Sequence, residues 1–356
     1  KVNESIYISL KEKHALANEG EEIIVSEGTY IGEGNKDIYF LGKNVTIRSA
    51  GLVENTIIDC QSSNRALIFE AHGSYSNVSS ATLIEGLTIS NGYFNDGRDG
   101  GGIYINGASP TFNDCVIRDN TVYHHTTNSY PHGGGIWINN SSSTFSNCAI
   151  INNRSQAEVN HSNTYYAYPY GGGVFIKGGS SSITMTDCFI SGNVSHGVDH
   201  DCDGDSRAYP KGGGIYLESG TLNLTNSEIV DNETTGSGCQ VYKDGAGIFV
   251  QGGTANISYT TIDRNIGSQG IWLASGTIDI DQSIIANNGS HGIYREGGTV
   301  NVINSIIWGN ASNDGGSINY SYTNRQGGAP GGDGNISKDP WFVNSDSGDY
   351  TLKPGS

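Results

Sequence analysis

The sequence is poor in several features that mark common classes of protein. Its 356 residues include only 6 Cys, 7 Pro and 1 Met, which excludes a small disulfide scaffold, because such folds are short and rich in cysteine. No apolar stretch approaches the roughly 20 residues that a membrane-spanning helix needs. Lys and Arg number 19 against 36 Asp and Glu, so the net charge is −17. This charge disfavours binding to nucleic acid phosphates and suits a secreted or cell-surface protein.

Glycine is abundant instead, with 52 residues that follow no collagen triplet. It recurs in an internal repeat, in which glycine leads into an aliphatic residue and then an aromatic one. A polar turn, an alternating strand and an Asn follow each time. The repeated segments begin at Gly100, Gly133, Gly171, Gly212, Gly245, Gly270 and Gly292.

A small residue five positions before the recurring Asn marks each repeat. The shortest spacings, 22 and 23 residues, fit one coil of three short strands, and longer spacings indicate insertions. The period of two and the richness in Ile, Val and Thr exclude helices here. A single coil cannot bury its apolar side chains, but coils that stack on one another can. We therefore predict an all-β, single-domain, right-handed parallel β-helix with a short N-terminal capping helix. The paired markers are Gly86/Asn91, Cys115/Asn120, Cys148/Asn153, Cys188/Asn193, Ser227/Asn232, Thr260/Asn265, Ser283/Asn288 and Ser305/Asn310.

Two columns of side chains should follow from this register. The recurring Asn is expected in a left-handed turn, with its amide bonded to the neighbouring coil. The small residues should stack inside the coils. Cys115, Cys148 and Cys188 are then buried free thiols, and Cys60 is expected in the same kind of interior position.

Three segments carry a family resemblance. Residues 8–47 read as a short helix, SLKEKHALAN, followed by EEIIVSEGTYIG and GKNVTIRS, which resembles the capped first coil of pectin-lyase-like β-helix proteins. The GGGI…F…N repeats resemble those of polymorphic outer-membrane proteins, and NISKDPWFVNSDSGDYTLKPGS resembles the closing segment of secreted β-helix proteins. The resemblance implies a cap and first coil at 1–50, coils with insertions at 51–325 and a closing segment at 326–356. It implies a fold and no particular activity.

Five insertions fall at one corner, between the recurring Asn and the next glycine-rich strand: residues 93–99, 121–132, 154–170, 194–211 and 233–244. Because coils stack, we expect them side by side along one flank, where repeat proteins often bind ligands. Their tyrosines offer rings and hydroxyls suited to sugars. The alternative is that the insertions pack on one another and bind nothing. The predicted glycan-binding residues are Tyr130, His132, Tyr168, Tyr170, Tyr209, Tyr242, Trp272 and Tyr294.

The aromatic residue of each glycine-rich strand should point outward, because strand residues alternate between two faces. Two interpretations stay open: an exposed ligand-binding ribbon, or a second small core beneath the insertions. We expect coverage where insertions are long, and exposure at Trp272 and Tyr294. The seven aromatics are Tyr104, Trp137, Phe175, Tyr216, Phe249, Trp272 and Tyr294.

The fourth insertion contains the pattern D-x-D-x-D-G, which resembles the first half of a calcium-binding loop. Pro210 stands where such a loop would end in Glu, so the loop is truncated, and a solvated acidic tip is the alternative. The predicted Ca²⁺ ligands are Asp199, Asp201, Asp203 and Asp205. Cys202 in this insertion and Cys239 in the next are predicted to form a disulfide.

Candidate catalytic groups do not form a convincing set. Lys211, Arg207, His200 and Asp244 would be the residues of an enzyme, but basic groups are few. We therefore predict a non-catalytic extracellular or cell-surface protein for adhesion, glycan binding or assembly of a surface layer or filament. Its partners would be a polysaccharide or cell-surface glycan, and further copies of itself. Abundant Asn-x-Ser/Thr sequons would suit a glycoprotein. The alternative is a Ca²⁺-dependent polysaccharide lyase or glycoside hydrolase acting on the insertion face.

Overall fold

The computed structural model describes residues 9–40, 42–70, 81–126, 128–159, 165–200 and 206–356. Helix α1 (Leu10–Leu16) begins with a capping box, because Ser9 Oγ accepts from Glu12 N while a Glu12 carboxylate oxygen accepts from Ser9 N. The His14 ring lies 4.5 Å from the Phe40 ring, so the helix covers the first coil. Three short 3₁₀ helices span Glu33–Asn35, Val53–Asn55 and Ser345–Ser347. Among the described residues, no helix is long and apolar enough to cross a membrane.

Three long parallel sheets run the length of the molecule, and in each sheet the strands are added in chain order. The chain visits sheet 1, sheet 2 and sheet 3 in turn, so each circuit is one coil, and the predicted parallel β-helix is confirmed. Sheet 1 contains Glu22–Val25, Thr46–Ser49, Leu83–Glu85, Thr111–Asn113, Thr144–Ser146, Ser182–Thr186, Thr221–Thr225, Thr254–Ser258, Thr277–Asp281, Thr299–Ile303 and Asn319–Ser321. Sheet 2 contains Gly28–Tyr30, Thr56–Asp59, Thr88–Ser90, Val116–Arg118, Ala149–Ile151, Phe189–Ser191, Glu228–Val230, Thr261–Asp263, Ile284–Ala286, Ile306–Trp308 and Asn324–Arg325. Sheet 3 contains Ile38–Phe40, Leu67–Glu70, Ile103–Asn106, Ile136–Asn139, Val174–Lys177, Ile215–Leu217, Ile248–Val250, Ile271–Leu273 and Ile293–Arg295.

Smaller sheets lie outside the coils. Sheet 4 is parallel and is made by the insertions: Tyr93–Phe94, Thr121–His125, Arg154–Val159, Val194–Asp199 and Glu233–Ser237. The strands Tyr166–Ala167 and Arg207–Ala208 also pair in parallel. Near the C-terminus, Phe342–Asn344 pairs antiparallel with Asp349–Leu352. The Tyr350 hydroxyl accepts a hydrogen bond from Asn287 Nδ2 at 3.0 Å, so this hairpin lies against the last coils.

The interior of the coils is filled by inward aliphatic and aromatic side chains. Phe40 and Phe69 stack 4.3 Å apart, and Phe112 and Phe145 stack 4.8 Å apart, all fully buried. Each such side chain contributes about 1.5–3 kcal/mol of burial free energy. One contiguous core results, because each coil leaves its apolar edge for the next coil to cover.

A buried column of asparagines stabilises the corner after sheet 2. Asn153 N and Nδ2 both donate to Asn193 Oδ1, at 3.0 and 2.9 Å, and the same pattern runs from Asn120 to Asn310. The prediction that these asparagines adopt the left-handed conformation is wrong. Positive φ belongs to the residue before each one, such as Asn152 at 55°, because the chain bends before it enters the column.

The first repeat was also placed out of register by one residue. Strand pairing sets Ser90 opposite Arg118, so Gly92, and not Asn91, occupies the column position. Gly92 N donates to Asn120 Oδ1 at 2.8 Å. By the same pairing Leu87, and not Gly86, stands beside Cys115. This coil has Leu and Gly where later coils have a small residue and Asn, and Asn91 imitates the pattern.

The small-residue column holds the cysteines as predicted. Cys115, Cys148 and Cys188 are buried free thiols, and Ser227 Oγ accepts from Cys188 N at 3.0 Å. Cys60 is buried and free as well, but it follows the sheet 2 strand Thr56–Asp59. It therefore lies at a different corner from the column, and burial raises the pKa of its thiol to about 12.

Candidate functional site

The insertions form two layers rather than irregular loops. Each one leaves the asparagine column as a strand of sheet 4 and comes back as a return segment towards the glycine-rich strand. The register of sheet 4 sets Gln156 beside His196. Small residues such as Ala157, Ala167 and Ala208 are buried between the layers. The insertions therefore lie side by side along one flank of the coils.

A hydroxyl two residues after the buried Asn fixes the return segments that contain Pro131 and Pro169. Ser155 Oγ donates to the carbonyl of Pro131 at 2.6 Å, and Ser195 Oγ donates to that of Pro169. Asn153 and Asn193 are completely buried. The Asn-x-Ser pattern at these positions is thus part of the fold, and the buried amides are not available for glycosylation in the folded chain.

A partly exposed column of rings, the tyrosine ladder, lies on the return segments: Tyr130, Tyr168, Tyr209 and Tyr242. Successive rings stack 4.9, 5.2 and 5.2 Å apart, within 17° of parallel. The inner rings cover each other's faces, so the ladder presents ring edges and hydroxyls outward. The end residues Tyr130 and Tyr242 are 44% and 48% exposed. Arg207 flanks the ladder, with Nη1 3.5 Å from the Tyr209 hydroxyl.

A second row on the return segments faces the coils: His132, Tyr170, Lys211 and Asp244 pair along the row. His132 stacks 4.4 Å from Phe175, and Tyr170 stacks 4.5 Å from Tyr216. Lys211 Nζ lies 4.5 Å above the Phe249 ring and 3.3 Å from Asp244. Burial raises the pKa of Asp244, although the Lys211 charge opposes this. This row covers the aromatic side chains of sheet 3.

Those seven outward aromatics of sheet 3 form a continuous column, the aromatic ribbon. From Phe175 to Tyr294 successive rings are 4.2 to 6.4 Å apart. Trp137, Phe175, Tyr216 and Phe249 are buried as a second core, as expected beneath long insertions. Trp272 and Tyr294 are half-buried. A Cβ on Gly315 would lie 2.3 Å from the Tyr294 ring, so even this end ring has a covered face.

The outer face of sheet 4 carries a polar network that the sequence analysis missed. Tyr123 Oη and Gln156 Nε2 donate to the two carboxylate oxygens of Glu158, at 2.9 and 2.7 Å. Arg154 Nε donates to Gln156 Oε1 at 2.6 Å. Burial opposes ionisation of Glu158, but these hydrogen bonds hold its pKa below the usual value. The network adjoins His196, whose Nδ1 is buried without a partner among the described residues.

Burial, assisted by the Arg154 charge, lowers the pKa of His196 to about 4. Its imidazole is therefore neutral at physiological pH and can accept a proton or a hydrogen bond. The signal for this face was the alternation in RSQAEV and VSHGVD, where every second residue is small. Such alternation is typical of a strand with one buried face.

A family model described as "Right handed beta helix region" matches residues 23–244 and 162–326. The chain belongs to the right-handed β-helix family. Among solved structures, this right-handed β-helix protein is similar to the A-module of the mannuronan C-5 epimerase AlgE6 of Azotobacter vinelandii. The identity is 13% and the TM-score 0.38, over 85% of this chain and 90% of that chain. No curated protein matches the sequence.

Of the residues predicted to bind calcium or to form the disulfide, the structure describes only Asp199 and Cys239. Asp199 is buried at the end of its sheet 4 strand, while Asp201, Cys202, Asp203 and Asp205 lie outside the described residues. Cys239 is disulfide-bonded, and its pairing with Cys202 stays a prediction. No group of three or more His, Cys, Asp or Glu within the described ranges could hold a metal ion, and the calcium site also stays a prediction.

The four predicted catalytic residues are not brought together by this β-helix. Lys211 and Asp244 pair above the aromatic ribbon, and Arg207 lies beside the tyrosine ladder. His200 lies on the other layer, with Nε2 3.7 Å from Glu158. The predicted glycan-binding residues form three groups: the tyrosine ladder, the covering row with His132 and Tyr170, and the ribbon with Trp272 and Tyr294.

Proposed function

We propose that this protein binds a glycan chain along the tyrosine ladder, outside the cell or at the cell surface, without altering it chemically. The observation that carries the proposal is the partly exposed column of four tyrosines, repeated once per coil. A column of equivalent groups along the solenoid axis matches a ligand that is itself a repeating polymer. Adhesion to a polysaccharide or to a glycan-bearing surface is the role that such binding would serve.

The chemistry of the ladder favours a polyhydroxylated ligand. Each phenol hydroxyl both donates and accepts hydrogen bonds, as sugar hydroxyls do. Arg207 and Gln240 beside the ladder are held by an Nε–Oε1 hydrogen bond of 3.1 Å and add further polar groups. The ring faces of Tyr130 and Tyr242 at the two ends offer stacking surfaces. The net charge of −17 disfavours a polyanion.

The proposal is tested by calorimetric titration with cellohexaose, xylohexaose and mannohexaose. Tyr209→Ala should weaken binding about tenfold, equivalent to about 1.4 kcal/mol, because it interrupts the hydroxyl row. Its melting temperature should stay close to that of the wild type. Tyr322→Ala is the control, since Tyr322 is 60% exposed and lies far along the chain from the ladder. Equal affinity of Tyr209→Ala and the wild type for every glycan that binds would contradict the proposal.

A catalytic function is favoured by a different observation, the network on sheet 4. A neutral His196 beside Arg154 and Tyr123 provides a weak base, a charge that can neutralise a carboxylate, and a hydroxyl acid, which are the kinds of group that a polysaccharide lyase needs. Incubation with pectate, alginate, chondroitin and neutral glycans, with and without Ca²⁺, tests it by absorbance of unsaturated ends and by reducing sugar. Turnover that is lost in His196→Gln would replace the binding function by this one.

A further inference from the structure

A cavity of about 320 Å³ opens at the N-terminal end of the aromatic ribbon. Tyr39, Ile68 and Tyr104 stand side by side on sheet 3 and form its floor. Arg65, Arg98, Glu70 and Asp99 also line it. The cavity therefore combines aromatic walls with a small number of charged groups, which is the usual composition of a ligand pocket.

The pocket exists because the first insertion is short. Gly100 N donates to the carbonyl of His132 at 3.0 Å, which fixes the register of the two coils. Counting back from it, Gly97 occupies the position that Tyr130 holds one coil further on. The tyrosine ladder therefore has no ring at Gly97, and Gly97 lines the pocket instead.

Arg65 is the unusual member of this pocket. Its side chain is 5% exposed, and its guanidinium lies 4.3 Å from the centre of the Phe94 ring and 4.8 Å from that of Tyr104. It makes no ion pair with any described residue, and its buried Nε has no hydrogen-bond partner among them. Burial, with the nearby Arg98 charge, lowers its pKa to about 10, so it stays charged at neutral pH.

A buried charge without a partner is costly unless something compensates it. Arg98 differs, because Asp96 binds its guanidinium through contacts of 2.7 and 3.0 Å. The Phe94 ring lies between the two arginines, with Arg98 4.1 Å from its centre. Arg65 therefore has no carboxylate within ion-pair distance among the described residues, although the charges of Asp37 and Asp99 act on it from farther away.

We infer that this pocket binds the oxyanion, a carboxylate or a sulfate, of a single acidic sugar unit at the end of the glycan chain. The inference rests on the proposed function, since the chain would reach the pocket from the tyrosine ladder. The planar guanidinium of Arg65 suits paired hydrogen bonds to an oxyanion. Tyr39, 46% exposed, supplies a ring wall, and Glu70 can accept hydrogen bonds from sugar hydroxyls. The acidic protein surface favours one acidic unit over a polyanion.

The experiment compares three chains of equal length by calorimetric titration: cellohexaose, the same chain ending in glucuronic acid, and the same chain ending in a 6-sulfated glucose. The wild type should bind at least one acid-ended chain tenfold more tightly than cellohexaose. Arg65→Met should remove this preference. Arg118→Gln, which breaks the Arg118–Asp119 ion pair outside the pocket, should keep it.

The affinities of the three chains test both the acidic-unit inference and the kind of oxyanion that the pocket binds. A preference for glucuronate assigns the oxyanion to a carboxylate, and a preference for the sulfated chain assigns it to a sulfate. Equal binding of all three chains overturns the acidic-unit inference, while the proposed function stands if Tyr209→Ala still weakens binding. A preference that persists in Arg65→Met also overturns the inference. If none of the three chains binds, the inference fails, and the proposed function fails with it only when xylohexaose and mannohexaose also do not bind.

A second variant guards against misfolding of Arg65→Met. Tyr39→Ala removes only a largely exposed ring from the pocket wall and should reduce the preference for the acid-ended chain at least threefold. Its affinity for cellohexaose should change less than its affinity for the acid-ended chain. Loss of affinity for both chains by the same factor would contradict the pocket assignment.

Discussion

The aromatic ribbon and the tyrosine ladder are two columns of stacked rings, each repeated once per coil, with different surroundings. Phe249 in the ribbon is completely buried, whereas Tyr242 in the ladder is 48% exposed. The difference is the row with Tyr170 and Lys211, which covers the ribbon, while among the described residues no such row lies over the ladder. The same repeat chemistry thus produces a core in one place and a partly exposed surface in another, depending on whether a further layer follows.

The largest effect that this comparison predicts is on stability. Phe249→Ala should lower the free energy of unfolding by about 3–5 kcal/mol, because it leaves a cavity between Tyr216 and Trp272. Tyr209→Ala should cost less than about 1 kcal/mol, because much of its ring edge is already in water. Urea unfolding followed by fluorescence measures both. Losses of similar size would show that the ladder is a structural element like the ribbon.

The same comparison between buried and exposed groups applies to the asparagine side chains. Asn193→Ala should destabilise the fold by about 1–3 kcal/mol for each buried group that it leaves unpaired, since Asn153 N and Nδ2 both donate to Asn193 Oδ1. Asn256→Ala is the matched control, because Asn256 Nδ2 donates to Asn223 Oδ1 on the outward face of sheet 1. It should cost within about 0.5 kcal/mol of zero. The same unfolding assay decides, and an equal cost for both variants would argue against the buried column.

The smallest effect concerns alkaline pH. Burial raises the pKa of Tyr216 well above its usual value near 10, so the unfolded chain loses this proton first. The stability that Tyr216 contributes through ionisation is complete below pH 10 and is lost as the pH rises towards the folded-state pKa. Tyr216→Phe should therefore lose less stability than the wild type between pH 9 and 11, with Tyr242→Phe as control. A parallel decline of all three melting temperatures would refute the prediction.

Much of the fold could be predicted from the sequence because the repeat has a constant spacing of 22 or 23 residues where the coils carry no insertion. The column from Asn120 to Asn310 and the corner that carries the insertions follow from spacing alone. The first coil was misplaced because Asn91 adjoins the true column position at Gly92, and spacing cannot distinguish adjacent residues. Only hydrogen bonding shows which of the two enters the column.

The site was less predictable, because spacing tells which residues share a column and not what covers them. Tyr170 and Tyr168 are two residues apart in one insertion, yet one packs on Tyr216 and the other faces outward. Alternation along an extended segment would place both rings on the same face, so the sequence pattern does not distinguish them. The pocket at Arg65 depends on the absence of an aromatic ring at Gly97, and no sequence motif near Gly97 predicts this pocket.

The asparagine column also bears on how such a chain can change in length. Each coil from Asn120 to Asn288 presents the same acceptor to the coil before it and the same donors to the coil after it, as Asn265 does between Asn232 and Asn288. If one coil were duplicated or deleted, the coils on either side would therefore still form the same hydrogen bonds. The chain can therefore gain or lose whole coils, and the sequence of each insertion can vary, because the same asparagine amide joins neighbouring coils at one corner.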